Sequence, residues 1–488
     1  MATIDDIRKN RIRKLERLRS VGVNPYPVSV KRSHSCKELI NDFDKISKSK
    51  AEVFVVGRIR ALRTHGKATF LNIEDGTAKI QIFLKEDLLG EKGYDFYLEN
   101  FDIGDFIQVK GNLFLTQRGE KTIEAIDIKM IAKSILPLPE KWHGLKDEED
   151  RYRKRYLDIL FNPEVKDMIV KKSVFWNSMR EFLCKEGFLE VETPVLENTA
   201  GGADAEPFKT FHNALGIEVY LRISMGELWQ KKLMVAGFEK TFEIGRQFRN
   251  EGMDAEHLQD YTQMEFYWAY ADHKQGMDLV ERLYKEVAVK TFGKTKFKIK
   301  GFDIDLSDKW ERYDYQSIIS QKTKVDINSA DLREMRKTLD KLGVKYDEKG
   351  FNRGRAIDSL WKYCRKEIAG PGFLVNLPVE VSPLAKRNEK HPELVARFQV
   401  ILGGSEMGNG YSELNDPIDQ AERFAQQQKL RDAGDKEAQM YNHEFIEALE
   451  YGMPPTCGFG LSERLFSFLM DKPARECQTF PLMRPKNE

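Results

Sequence analysis

The chain has 488 residues but only five cysteines, Cys36, Cys184, Cys364, Cys457 and Cys477, and no two of them form a Cys-x-x-Cys pair. That spacing argues against a disulfide framework and a cysteine-held zinc site, and it fits a reducing cytoplasm. Long apolar runs are missing as well. The opening MATIDDIRKNRIRKLERLRS lacks the apolar core of a signal peptide, and no later run is long enough to span a bilayer, so no membrane role is implied. Charge of one sign is not in excess: 79 Lys and Arg stand against 78 Asp and Glu, a formal charge of +1. Any contact with nucleic acid must therefore come from local patches. Neither a Gly-x-Gly-x-x-Gly nor a Gly-x-x-x-x-Gly-Lys-Ser/Thr fingerprint occurs, so a nucleotide would have to be held by another route.

What is there is an ordinary globular composition, 41% apolar and 32% charged, in a chain long enough for two or more domains. Residues 1–50 form a basic lead-in. The first twenty hold seven Lys or Arg against three acids, with Ile7, Ile12, Leu15 and Leu18 near helical spacing. The helix this predicts is either a solvated face or an arm for a polyanion backbone. Residues 51–138 switch to short β-rich runs with Asp-Gly and Arg-Gly turns, five strands that suggest a small barrel of the OB type. Such barrels stack unpaired bases on their exposed face, and Phe70 and Gln81 are placed there, one to stack and one to read a base edge. Proline-punctuated residues 139–150 read as a linker. A larger unit follows over 151–488: a charged helix, a turn at Asn162-Pro163, a long helix to Lys185 ended by Gly187, then FLEVETPVL as a strand.

The stretch FRNEGMDAEHLQDYTQMEFYWAY, Phe248 to Tyr270, follows a strand-like KTFEIGRQ and ends in a second alternating run. Two strands joined by a charged loop put Arg249 at a strand end. They also set Tyr261, Gln263, Glu265 and Tyr267 on one face, with Met264 and Phe266 on the other. An arginine there can meet phosphate oxygens, a nearby glutamate can accept from an exocyclic amine, and a tyrosine can stack on a base. The combination describes an ATP site without a P-loop.

These residues resemble motif 2 of the class II aminoacyl-tRNA synthetases. GFLEVETPVL resembles motif 1, with its proline at Pro194, and GFGLSERLFSFL resembles motif 3, with its arginine at Arg464. GGADAEPF, VEVSPLAKRN, EMGNGYSELND and the C-terminal FPLMRP are most similar to the lysyl-tRNA synthetase family, and the likeness runs over nearly the whole chain. The resemblance implies an α+β fold, with an N-terminal OB-fold anticodon-binding barrel and a catalytic domain whose antiparallel sheet is flanked by helices. It also implies a two-fold homodimer, whereas residues at about 296–370 match the family only loosely and read as a helical insertion.

The resemblance further implies a lysine–tRNA ligase that uses ATP to make lysyl-adenylate and charges the 3′ end of tRNA(Lys), with L-lysine, ATP and the tRNA as partners. A paralogue that lysylates a protein, or a non-catalytic RNA-binding descendant, are the alternatives. Arg249 would hold the α-phosphate and the substrate carboxylate, Glu251 would read the adenine amine, and His257 would touch the γ-phosphate. Tyr261 and Arg464 would sandwich adenine. For lysine, Glu413 and Tyr267 would take the ε-ammonium, Glu227 and Glu265 the α-amino end, Asn409 the carboxylate, and Gly201 would lend backbone. Phe70 and Gln81 would meet the anticodon. Magnesium would accompany ATP, with Glu406 as one ligand. The family's second carboxylate is replaced here by Gln399, so either its carbonyl ligates or an ion is lost or is held mainly by phosphates and water.

Overall fold

The computed structural model describes residues 3–139, 147–252, 257–346, 348 and 351–486. The chain divides into two compact units, with the break after residue 146. Most of the 139–150 linker therefore lies outside the described residues.

The first unit opens with a helix, Ile4–Ser20, started by a reciprocal cap between Thr3 and Asp6. Leu15 and Leu18 turn inward as their spacing predicts. Arg11 does not belong to the basic face: it is buried and donates to the carbonyl oxygens of Ile103, Ser134 and Leu136. The strands are β1 (Val53–His65), β2 (Ala68–Glu74), β3 (Lys79–Lys85), β4 (Phe106–Leu115) and β5 (Lys121–Ala132). They close into a barrel in the order β1-β2-β3-β5-β4. Alternation drives Leu71, Ile73, Ile80, Ile82, Val109 and Ile123 into the interior. At Gly111, where the β4–β5 register slips, a Cβ would collide with the Glu124 carbonyl, so the bulge needs glycine. A helix, Glu91–Asn100, fills the β3–β4 connection and buries Tyr94 and Tyr97.

The second unit is built on eight strands. They are β6 (Leu189–Glu190), β7 (Lys240–Phe248), β8 (Asp260–Ala269), β9 (Glu311–Asp314), β10 (Gly372–Pro378), β11 (Leu394–Leu402), β12 (Ser405–Ser412) and β13 (Thr456–Ser462). Their order is β9-β10-β11-β12-β13-β8-β7-β6, antiparallel except for the outermost pair at each end. Helices Pro163–Lys185 and His273–Phe292 pack together on one face, where Phe175, Met179, Leu283 and Tyr284 meet Phe242, Met264, Phe266 and Phe459. Burying that layer is the main driving force for the unit. Pro163 starts the first helix and Gly187, at φ 84°, follows its end, both at the positions expected.

Two expectations are corrected. FLEVETPVL is not one strand: Leu189–Glu190 pairs with β7, whereas Leu196–Glu197 pairs with Ile217–Leu221 in a separate three-stranded sheet. Between them Pro194 has no N–H to give a ladder, and Thr193 donates its N–H and hydroxyl to the Glu243 carboxylate instead. Nor is 296–370 helical throughout. Lys296–Ile299 and Phe302–Asp305 form a hairpin turned at Lys300 and Gly301, whose φ values of 49° and 85° suit a tight two-residue turn. Glu311–Asp314 then joins the central sheet, and helices follow only from Tyr315, packed around Trp361.

Candidate functional site

The face of the large sheet opposite the helix pair carries a cleft of about 840 Å³. Strand register explains its lining. Tyr267 on β8 stands level with Gly458 on β13, which faces Tyr411 on β12, which faces Arg397 on β11. The next row runs Glu265, Gly460, Asn409, Gln399. Side chains of one parity therefore share one surface across four strands. The glycines leave its centre open: a Cβ at residue 460 would lie 3.0 Å from Glu265 Cγ and 3.2 Å from Gln263 Nε2.

One end is acidic and buried. Glu265 accepts from Met225 N at 3.0 Å, Gln263 Nε2 at 2.5 Å and the Tyr267 hydroxyl at 3.0 Å. Burial, reinforced by the Glu227 carboxylate, pushes its pKa up to about 7. Glu227 opens the helix Glu227–Val235 and accepts from the Tyr411 hydroxyl. Glu413, directly after β12, and Glu227 both pair with Lys231, at 2.5 Å and 2.7 Å. Burial also raises the Tyr267 and Tyr411 hydroxyls well above their ordinary value, so both remain donors.

Elsewhere the lining carries arginines among further acids. Arg249 follows β7, donates through Nε to Ile223 O at 3.3 Å, and has its guanidinium 5.9 Å from the Tyr261 ring centre. Arg464 starts the helix after β13 and donates to the Glu406 carbonyl at 3.3 Å. Arg397 holds Asn409 Oδ1 at 2.8 Å and is itself fixed by Val381 O and Ser382 Oγ. Glu251, His257 and Tyr261 line the same cleft. The loop residues 253–256 between them lie outside the described residues.

Glu406 accepts from Trp361 Nε1 at 2.8 Å through one oxygen and from Gln399 Nε2 at 3.3 Å through the other. Gln399 thus stands as a donor to the carboxylate. Among the described residues no group of three or more His, Cys, Asp or Glu side chains could hold a metal. One carboxylate beside an amide fits magnesium shared with a nucleotide's phosphates, since that ion keeps few protein ligands.

The cleft therefore gathers every expected nucleotide and lysine residue except Gly201. That residue is buried behind the wall, where its carbonyl accepts from Ser224, and Gly202 lines the cleft in its place. Tyr411, Arg397 and Lys231 were not singled out from the sequence. The signal for the first two was present in the strands, each two residues from a chosen neighbour. In the barrel unit Phe70 stacks on Phe83 at 4.7 Å, Phe114 stands 6.0 Å from Phe83, and Gln81 donates to Thr122 Oγ1. All these rings lie on outward strand positions.

Residues 147–484 match the family described as tRNA synthetases class II (D, K and N), and residues 53–138 match the OB-fold nucleic acid binding domain. A lysine–tRNA ligase of Thermosipho africanus is 41% identical over 488 residues, covering 99% of this chain and 97% of that protein. One from Thermoanaerobacter pseudethanolicus is 44% identical over 490 residues, covering 99% of this chain and 97% of its own. One from Carboxydothermus hydrogenoformans is 43% identical, covering 99% of both chains.

Proposed function

This chain belongs to the lysine–tRNA ligases among the class II tRNA synthetases, and we propose that its cleft runs their reaction in two steps on the residues described above. Lysine enters with its ε-ammonium toward Glu413 and Tyr267, which replace the water it loses. Glu227 and Glu265 take the α-ammonium. Asn409 and Arg249 orient the carboxylate, with Arg397 fixing Asn409 through a 2.8 Å bond. Tyr261 and Arg464 grip adenine, Glu251 accepts from its amine, and His257 meets the γ-phosphate.

In the first step a lysine carboxylate oxygen bonds to the α-phosphorus, the bond to pyrophosphate breaks, and its electron pair leaves with pyrophosphate. Arg249 stabilises the charge that gathers on the α-phosphoryl oxygens. Magnesium, when bound through Glu406 and the side-chain oxygen of Gln399, would supply charge neutralisation on the leaving group. In the second step a 3′-terminal hydroxyl of tRNA(Lys) attacks the lysyl carbonyl, the acyl–phosphate bond breaks with its electron pair leaving on AMP, and the hydroxyl proton passes to the departing phosphate. No side chain forms a covalent bond; positioning does the work.

The single observation behind this reading is the meeting of Glu227, Glu265 and Glu413 at one end of a cleft whose other lining carries Arg249 and Arg464. A pocket for aspartate would need cations where Glu413 stands. ATP–pyrophosphate exchange with lysine, aspartate, asparagine or no amino acid tests it: exchange with lysine alone is expected, and exchange with aspartate or asparagine overturns the pocket assignment.

The barrel face with Phe70, Phe83 and Gln81 suits an unpaired anticodon, which favours tRNA over a protein acceptor. A two-fold homodimer through the motif 1 region is part of the proposal, supported by exposed Val170, Leu189, Val195 and Leu196 on and after the long helix. Sedimentation velocity giving a monomer would exclude it. The free cysteines accord with a cytoplasmic site, and no helix among the described residues is long and apolar enough to cross a membrane.

A further inference from the structure

Lys231 is fully buried, yet it lies behind the cleft and not in its lining. Its ammonium sits 2.7 Å from Glu227 Oε1, one helical turn back, and 2.5 Å from Glu413 Oε2, and stands 5.5 Å from the ring centre of Tyr411 and 5.9 Å from that of Phe445. Burial alone would lower its pKa, but the two carboxylates outweigh burial and its pKa is raised. From the surrounding elements it is faced by Tyr411 of β12 and Glu413 just after it and by Phe445 of the helix His443–Glu450, whose Glu444 pairs with the neighbouring Lys232, while Glu265 of β8 acts on Glu413.

The count of charges gives this arrangement a consequence. Glu227, Glu265 and Glu413 would bring three negative charges into one buried space, and a single resident ammonium leaves two unmatched. Free lysine offers two ammonium groups, α and ε. Glu413, held by Lys231 through Oε2, keeps Oε1 for the cleft, where it lies over Gly458 on the floor.

We propose that Lys231 is the resident counter-ion of the amino-acid pocket, a positioning residue that orients Glu227 and Glu413 and sets the pocket's deficit at the two positive charges lysine brings. The inference rests on the lysine-activating function proposed above. Without Lys231 the carboxylates would neutralise one another by taking up protons, and the pocket would lose both its geometry and its preference for a doubly cationic ligand.

The test compares wild type, Lys231→Met and Lys231→Arg in ATP–pyrophosphate exchange. Lys231→Met, which keeps the volume and loses the charge, is expected to raise the KM for lysine on the order of 100-fold while leaving the KM for ATP within about twofold. Its KM for lysine should keep improving to a higher pH than that of wild type, and Lys231→Arg should recover part of the loss. An unchanged lysine KM in Lys231→Met overturns the inference alone; a wild type without lysine-dependent exchange overturns the functional reading as well.

Should Lys231→Met fail to fold, Lys231→Gln replaces it, keeping a donor for the carboxylates and losing the charge: the same rise in the KM for lysine with an unaltered KM for ATP is expected, and an unchanged lysine KM overturns the inference.

Discussion

Gly458 and Glu413 compete for one volume: a Cβ at residue 458 would collide with Glu413 Oε1 and lie 2.7 Å from Cε1 of Tyr267. The backbone of β13 thus serves as the floor against which the Glu413 carboxylate rests. Gly458→Ala should displace Glu413, at a cost of about 1–3 kcal/mol for overpacking, and raise the KM for lysine roughly 10- to 100-fold. The KM for ATP should be unaltered. Equal lysine kinetics in the variant would mean that Glu413 does not hold the ε-ammonium.

Arg249 follows β7, lines the cleft and stands 5.9 Å from the Tyr261 ring centre. Removing a group aimed at charge that develops in the transition state costs about 3–4 kcal/mol. Arg249→Ala should therefore cut pyrophosphate exchange by roughly two to three orders of magnitude. Its melting temperature and circular dichroism should match wild type. Retained exchange would remove Arg249 from the site.

Glu265 gives a pH dependence whose sign can be worked out. Its carboxyl titrates at about 7 in the folded protein against an ordinary value of 4.5, so folding takes up a proton between those limits. Stability of the ligand-free protein should then fall as pH rises from 4.5 to 7, by up to about 3 kcal/mol from this group. Lysine binding runs the other way, because an ammonium needs the carboxylate. The kcat/KM for lysine should climb with pH through about 7, and Glu265→Gln should remove part of that limb, the rest belonging to Glu413, whose carboxyl burial also raises well above its ordinary value.

How much of this was legible in sequence depended on the range of the signal. YTQMEFYWAY alternates strictly, so the cleft face of β8 could be read from a period of two, and Met264 and Phe266 do join the helix-covered core. Lys231 was not legible as functional: it reads as an ordinary helix cation until Glu413, from far along the chain, closes on it. Arg11 was not legible as buried for the same reason, because its carbonyl partners stand 92 to 125 residues along the chain. KFKIKGFDID alternates as the hairpin at 296–305 requires, but its strands are four residues each, too short a signal beside the helical pattern that follows.

Gln399 and Glu406 offer a gain-of-function test. The amide stands 3.3 Å from the carboxylate as a donor, so Gln399→Glu would set two carboxylates side by side and create a demand for a cation. The magnesium concentration for half-maximal exchange should fall about tenfold in that variant. Its melting temperature should drop without magnesium and recover with magnesium and ATP. An unaltered magnesium requirement would place the ion elsewhere.

Phe70 separates the barrel's role from the cleft's. Its ring stacks on Phe83 at 4.7 Å on the outer face, where a third ring, Phe114, extends the platform. Stacking of a base on such a ring contributes about 1–3 kcal/mol. Phe70→Ala should then raise the KM for tRNA(Lys) in aminoacylation roughly 5- to 100-fold, since each 1.4 kcal/mol is a factor of ten. Lysine-dependent pyrophosphate exchange needs no tRNA and should run at the wild-type rate. Barrel stability should hold, because Leu71 and Ile73, not Phe70, occupy the interior. A loss of both activities together would show that the ring supports the fold, and a loss of neither would move the anticodon to another face of the barrel.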